Sequence, residues 1–235
     1  RMLNRGYDVL DAIREEIVTS TRVYIGSEGD LLSPSPQSCR QLRLHDPIMT
    51  DEQLARIRAL DSEGFKPCTL SILYDVAAGN TGIEAAMQRV YAELDAQFDK
   101  GCTIFILSDR GVNAQNAAIP ALLAVSGVQA HTIHKGIRTQ LSILLESGEP
   151  SEVHHFALLV GNGATAINPY LALETVRDAV RSGMLKGQNV LITTISIVVG
   201  GAIGMILDFD GRFNRFVGSL EQRFASKTDN GSKFS

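Results

Sequence analysis

From residue 47 onward, hydrophobic and polar positions alternate in blocks whose period switches between strand-like and helix-like. Thr50-Asp51-Glu52-Gln53 has the form of a capping box and predicts a short amphipathic helix running to about Leu60. Residues 68–74 are β-rich and alternating, a strand. After a turn over 79–82, apolar residues recur at helical spacing through 83–98. Residues 103–107 form an unbroken apolar run between Gly101 and Ser108-Asp109, the pattern of a parallel strand buried on both faces. A helix over 119–133 follows, with Pro120 in its first turn. Next come a third strand (140–145), a short helix (149–154), a fourth strand (156–160) and a helix (169–182). This order predicts an α/β fold of alternating βα units with mostly parallel strands. Four such units make either half of an eight-fold barrel or a small open sheet.

The ends read differently from this middle. Asp11 can cap a helix over 12–18, and residues 26–37, with two Gly, two Pro and three Ser, predict a loop lying over another surface. No charged residue occurs between Lys186 and Asp208. Within that stretch, residues 190–207 are long enough to span a bilayer as a helix. They equally suit a buried strand, a Gly200-Gly201 turn and a second strand, and a tail from a disrupted reading frame would also account for them. Three segments follow: 1–46, a helix and connecting loop; 47–186, the βα domain; and 187–235, an apolar segment with a polar tail.

Composition narrows the class of function. The chain has 235 residues, 44% hydrophobic and 20% charged, with a net charge of −4. That is ordinary for a folded domain and lacks the basic excess of a nucleic-acid surface. Three cysteines without CxxC spacing exclude a disulfide framework and a zinc ribbon and point to a reducing compartment, the cytoplasm by default. No charged-then-apolar leader opens the chain, and a start at Arg1 rather than Met suggests a piece of something longer.

Candidate chemistry gathers where loops follow strands, the position at which βα folds place functional groups. These loops read Ser108-Asp109-Arg110-Gly111, Glu146-Ser147-Gly148-Glu149 and Gly161-Asn162-Gly163. One reading is a carboxylate and guanidinium cluster around a small ligand, built on Asp109, Arg110 and Glu146. The other is that these charges pair with each other or cap loops and helices. His154 and His155 stand where the predicted short helix gives way to the fourth strand; adjacent residues on a strand would point to opposite faces, so the two imidazoles cannot readily share a metal. His131 and His134 lie on one helix face but find no further ligand at metal spacing, so no metal site is expected. Gly161-Asn-Gly-Ala-Thr-Ala has the look of a phosphate cradle but lacks the P-loop lysine and the third glycine of a dinucleotide fingerprint. A tight turn accounts for it. Ser108 is not in a GxSxG setting and no Cys lies near a His in sequence, so no catalytic set is evident.

Several longer motifs nevertheless occur in a telling order. Leu107-Ser-Asp-Arg-Gly-Val-Asn113 is followed by Ile119-Pro-Ala-Leu-Leu-Ala-Val125, Glu146-Ser-Gly-Glu149, Glu152-Val-His-His-Phe-Ala157 and Gly163-Ala-Thr-Ala-Ile-Asn-Pro-Tyr-Leu-Ala-Leu-Glu174. Over residues 9–185 this resembles the central domain of glutamate synthase, in the bacterial large subunit or its ferredoxin-dependent relative. The 26–37 loop is similar to the segment that follows that family's amidotransferase domain. Tyr7 to Asp11 stands where the family has an Asn-Pro-Pro-Ile-Asp-type entry.

The resemblance implies a partial, degenerate TIM-barrel-like domain between two reactive ones. The parent enzyme would hydrolyse glutamine in an amidotransferase domain with an N-terminal Cys. Ammonia would pass through a tunnel that the central domain helps to wall. A flavin domain, with FMN and an iron–sulfur cluster, would add it to 2-oxoglutarate. This chain would then carry no cofactor and no catalytic residue of its own, and its partners would be those two domains. Asp109, Arg110, Glu146, His155, Asn162 and Asn168 become candidates for ligand or interdomain contacts. Localisation would be cytoplasmic, or plastid in a photosynthetic eukaryote, with membrane association only through 190–207. The other classes left open are a stand-alone scaffold or membrane-tethered module, and a small-ligand βα enzyme.

Overall fold

The computed structural model describes residues 20–182 apart from 31, 34, 61 and 63. The predicted helix over 12–18 and the apolar run 190–207 lie outside the described residues. No helix among the described residues is long and apolar enough to cross a membrane.

A parallel sheet organises the chain. Its strands are β3 (Pro67–Ser71), β5 (Ile104–Ser108), β7 (Ser142–Glu146) and β8 (Ala166–Asn168), neighbours in that order and all parallel. Strands that neighbour in sequence order, without a reversal, follow the arrangement of consecutive barrel staves; among the described residues they do not close into a barrel. β5 and β7 are buried at every position, as their unbroken apolar runs require of strands covered on both faces.

Alternation along the strands separates two cores. Phe105, Leu107, Ile143 and Leu145 pack on one face against α2 (Gly82–Asp99), α3 (Ala121–His134) and α4 (Val153–Gly161). Ile104, Ile106, Leu144 and Ala166 face the other way. In a complete barrel that second face would meet other strands. Here it is covered by Leu54 and Ile57 of α1 (Asp51–Arg58), by Met49 and Phe65, and by Ile25. Ile25 ends β1 (Val23–Ile25), which pairs antiparallel with β2 (Leu42–Leu44). Ser142 fixes this hairpin to the sheet, its hydroxyl accepting from Gly26 N at 2.9 Å and donating to Gly26 O at 3.1 Å.

The expected capping box is present: Gln53 N donates to Thr50 Oγ1 and Thr50 N to Gln53 Oε1. Three other expectations are corrected. The strand predicted over 68–74 divides at Ile72. β3 stays in the parallel sheet, whereas β4 (Leu73–Asp75) pairs antiparallel with β6 (Asn116–Ala118). Arg89 from α2 donates to the carbonyls of Ser71 and Leu73 on either side of the division.

The fourth strand is not 156–160, which belongs to α4, and the short helix predicted over 149–154 starts only at Val153. Within 156–160, Phe156 and Leu159 are buried while Leu158 and Val160 are exposed, the spacing of one helical face rather than of a strand. The fourth strand is instead the three-residue β8, followed by α5 (Tyr170–Arg181). The loop 161–163 therefore enters a strand at its amino end and is not among the loops at the carboxyl ends.

Candidate functional site

Strand register sets the site. Ser108, Glu146 and Asn168 are mutually aligned at the carboxyl ends of β5, β7 and β8 and continue the face of Ile106, Leu144 and Ala166. Asp109, one residue on, falls on the opposite face. Two polar assemblies result, one on each side of the sheet end.

The first centres on Glu146, only 1% exposed. Arg58, at the end of α1, grips both carboxylate oxygens. Arg110 Nε donates to Oε1 at 2.8 Å and Ser108 Oγ to Oε2 at 2.5 Å. Burial alone would raise the Glu146 pKa, but the hydrogen bonds from Arg58, Ser108 and Arg110 outweigh it and hold the carboxyl below its ordinary value. Beside it, Asp51 accepts from Arg177 Nη1 at 2.7 Å and Asn168 Nδ2 at 3.0 Å, with Arg110 Nη2 at 3.7 Å. Burial opposes ionisation of Asp51 too; the hydrogen bonds from Arg177 and Asn168 and the charges of Arg177 and Arg110 prevail and lower its pKa. Asn168 is fully buried, and its Nδ2 also donates to Met49 O.

The second assembly centres on Asp109. Its Oδ2 accepts from Ser147 Oγ at 2.6 Å and from Gly148 N at 3.0 Å, which closes the loop after β7. Its Oδ1 is buried without a hydrogen-bond partner among the described residues. Tyr170 links the two assemblies, since Arg110 lies over its ring at 4.0 Å. Burial, and then the neighbouring Asp109 carboxylate, push the Tyr170 hydroxyl up to about 12.

Of the residues singled out from sequence, Asp109, Arg110, Glu146 and Asn168 meet at this end of the sheet. Asp109 and Arg110 do not pair with each other. His155 and Asn162 stand apart. His155 is on α4 rather than on a strand, and its Nδ1 accepts from Ser151 N and Glu152 N. It also lines a cavity of about 100 Å³ beside Leu122, Leu158 and Glu149. Asn162 follows α4 and bonds back to Leu158 O and to Ser126. Sequence reasoning passed over Arg58, Arg177 and Tyr170 and read Asp51 only as part of a cap. Their roles come from elements that the fold brings over the sheet end, and no local spacing signals them.

A Cβ on Gly163 would lie 2.3 Å from Gln129 Oε1, so a side chain rather than a phosphate occupies the space this glycine opens. Cys39 is exposed at the end of a short 3-10 helix (Pro36–Cys39), Cys68 is half-buried, Cys102 is buried, and the described residues hold no group of three or more His, Cys, Asp or Glu able to hold a metal.

Fold and site together define a βα domain of open, half-barrel form whose carboxyl-end polar groups bind mainly one another. The model of the glutamate synthase central domain matches residues 9–203, so the chain belongs to that family. The chain is 40% identical to the glutamate synthase [NADPH] large chain of Bacillus subtilis over 176 residues, 75% of this chain and 11% of the relative. It is 36% identical to ferredoxin-dependent glutamate synthase 2 of Synechocystis over 173 residues, 72% of this chain and 11% of the relative. The glutamate synthase [NADH] of Schizosaccharomyces pombe is 34% identical over 179 residues, 75% of this chain and 8% of the relative. The chain thus spans about a tenth of the length of these curated relatives. The family match continues past Lys186 and takes in most of the apolar run.

Proposed function

We propose that this chain is the central-domain portion of a glutamate synthase. Its work is to join an amidotransferase domain to a flavin domain and to form part of the wall along which ammonia passes. In that reading the parent enzyme, an oxidoreductase, makes glutamate from glutamine and 2-oxoglutarate. FMN and an iron–sulfur cluster would be held by its other domains. The observation that carries the structural role is the engagement of Glu146: two arginines and a serine hold it as a buried anion. A carboxylate so held is a poor base, because its proton affinity has been lowered. The segments 1–46 and 187–235 would form the connections to the flanking domains. The parent would work in the cytoplasm, or in a plastid, as the name of the rice relative, a chloroplastic ferredoxin-dependent glutamate synthase, indicates for that protein.

A graft tests this reading. Residues 20–182 replace the corresponding segment of the Bacillus subtilis large chain, and glutamate formation is measured with glutamine and, separately, with ammonium. A connecting and tunnel-walling domain is expected to support both activities. Substitutions that line the passage should then depress the glutamine-dependent rate while sparing the ammonium-dependent one. A graft that folds and binds flavin yet loses the ammonium-dependent rate would overturn the proposal.

A further inference from the structure

The carboxyl end of a parallel βα sheet is where such folds hold their ligands. At that position this chain presents a recognition set for a carboxylate. Arg58 forks both oxygens, Arg110 Nε meets Oε1 at 2.8 Å and Ser108 Oγ meets Oε2 at 2.5 Å. Two guanidiniums and a hydroxyl converging on one carboxylate are the usual means of binding small organic acids. The arginines come from different elements, α1 and the loop after β5, and both keep part of their surface in solvent, whereas the carboxylate is buried. Asp51, held by Arg177 and Asn168, lies beside them, with Arg110 Nη2 at 3.7 Å.

We infer that Arg58, Arg110 and Ser108 form a carboxylate-binding site that the chain's own Glu146 fills as a built-in ligand. The site then takes a small monocarboxylate when that side chain is cut back. Glu146→Ala removes a CH₂–COO⁻ unit, which matches acetate in size and charge. Formate leaves the space of a methylene empty, and pivalate is too wide. The assignment rests on the reading that this end of the sheet holds the domain together rather than catalysing.

The test is thermal unfolding of the full 235-residue chain as wild type, Glu146→Ala and Glu146→Gln, in sodium acetate, formate, pivalate or chloride at equal ionic strength. Acetate is expected to raise the Tm of Glu146→Ala above its chloride value by roughly 3–6 °C at a tenfold excess over Kd. Formate should do less and pivalate nothing. Wild type and Glu146→Gln, whose sites stay filled, should show no acetate-specific rise. Should Glu146→Ala be unfolded in chloride, folding brought about by acetate and not by pivalate gives the same support. Equal Tm values in acetate and chloride, or acetate that fails to restore folding, would overturn the assignment and mean that Arg58 and Arg110 simply turn to solvent. Because the readout is stability, its failure leaves the graft experiment standing, and an inactive graft leaves the acetate response standing.

Discussion

Asp109 and Glu146 are both buried carboxylates, yet they serve different neighbours. Asp109 organises a loop: its Oδ2 holds Ser147 Oγ and Gly148 N, and Ser147 Oγ in turn accepts from Glu149 N. Removing it strands those donors. Asp109→Ala should therefore cost about 1–3 kcal/mol, the range for losing a buried charge-assisted hydrogen bond. Urea unfolding at neutral pH reads this directly, and an unchanged midpoint would favour a ligand role instead. Glu146 should reveal itself in acid. Its folded pKa lies below its ordinary value of 4.5, so its stabilisation is complete above that pH and is lost as pH falls through the folded value. Asp51, and Asp95 of α2, which His131 and Lys135 hold, are lowered in the same sense and add to the loss. The urea midpoint of the wild type should decline below about pH 4.5. Glu146→Gln should start lower at neutral pH and decline less steeply. Equal slopes for the two chains would contradict the assigned role.

Between elements, packing rather than pattern decides. α2 and α3 approach so closely at Gly127 that a Cβ there would lie 2.4 Å from Met87 Cε and 2.5 Å from the Tyr91 hydroxyl. Gly161, at the end of α4, has open space around it. Alanine at Gly161 should stabilise by about 0.5–1 kcal/mol through helix propensity and a less free unfolded chain. The same change at Gly127 should destabilise by about 1–3 kcal/mol, because overpacking outweighs propensity. Urea midpoints of the two variants should move in opposite directions.

The same contrast explains what the sequence made legible. β5, β7, α2 and α5 carry long periodic or unbroken apolar patterns and were readable. β8 is Ala-Ile-Asn, too short for any period, while 156–160 are apolar enough to imitate a strand. His155 settles the matter by folding back on the backbone of Ser151 and Glu152, a contact invisible in one dimension. Asp109, Arg110, Glu146 and Asn168 were found because each sits at or just beyond the end of an apolar stretch. Arg58 and Arg177 were not: the docking of α1 and α5 over the sheet brings Arg58 to Glu146 and Arg177 to Asp51, and the local Arg177–Glu174 pair does not signal either contact.

At the scale of the described residues together, the sheet face that would line a closed barrel is filled by the chain itself. Ile25, Met49, Leu54 and Ile57 plug the face that would line a barrel, and Glu146 sits above them where a ligand would. What chemistry remains can be judged from the nucleophiles. Burial, then the nearby Cys102, push the Cys68 thiol up to about 11, which leaves roughly one molecule in 10,000 as thiolate at neutral pH. Cys102 is buried. Ser108 does donate to a carboxylate, the geometry of a serine beside its base, but two arginines hold that carboxylate as an anion. A base whose pKa has been lowered draws little proton from an alcohol. The full chain, given glutamine, 2-oxoglutarate, FMN and a reductant, should therefore release ammonia and form glutamate no faster than a blank without protein. An activated nucleophile would contribute several orders of magnitude in rate, far above the detection limit of a coupled assay. Ammonia release that depends on the chain and disappears in Ser108→Ala would show that the Ser108–Glu146 pair is catalytic after all.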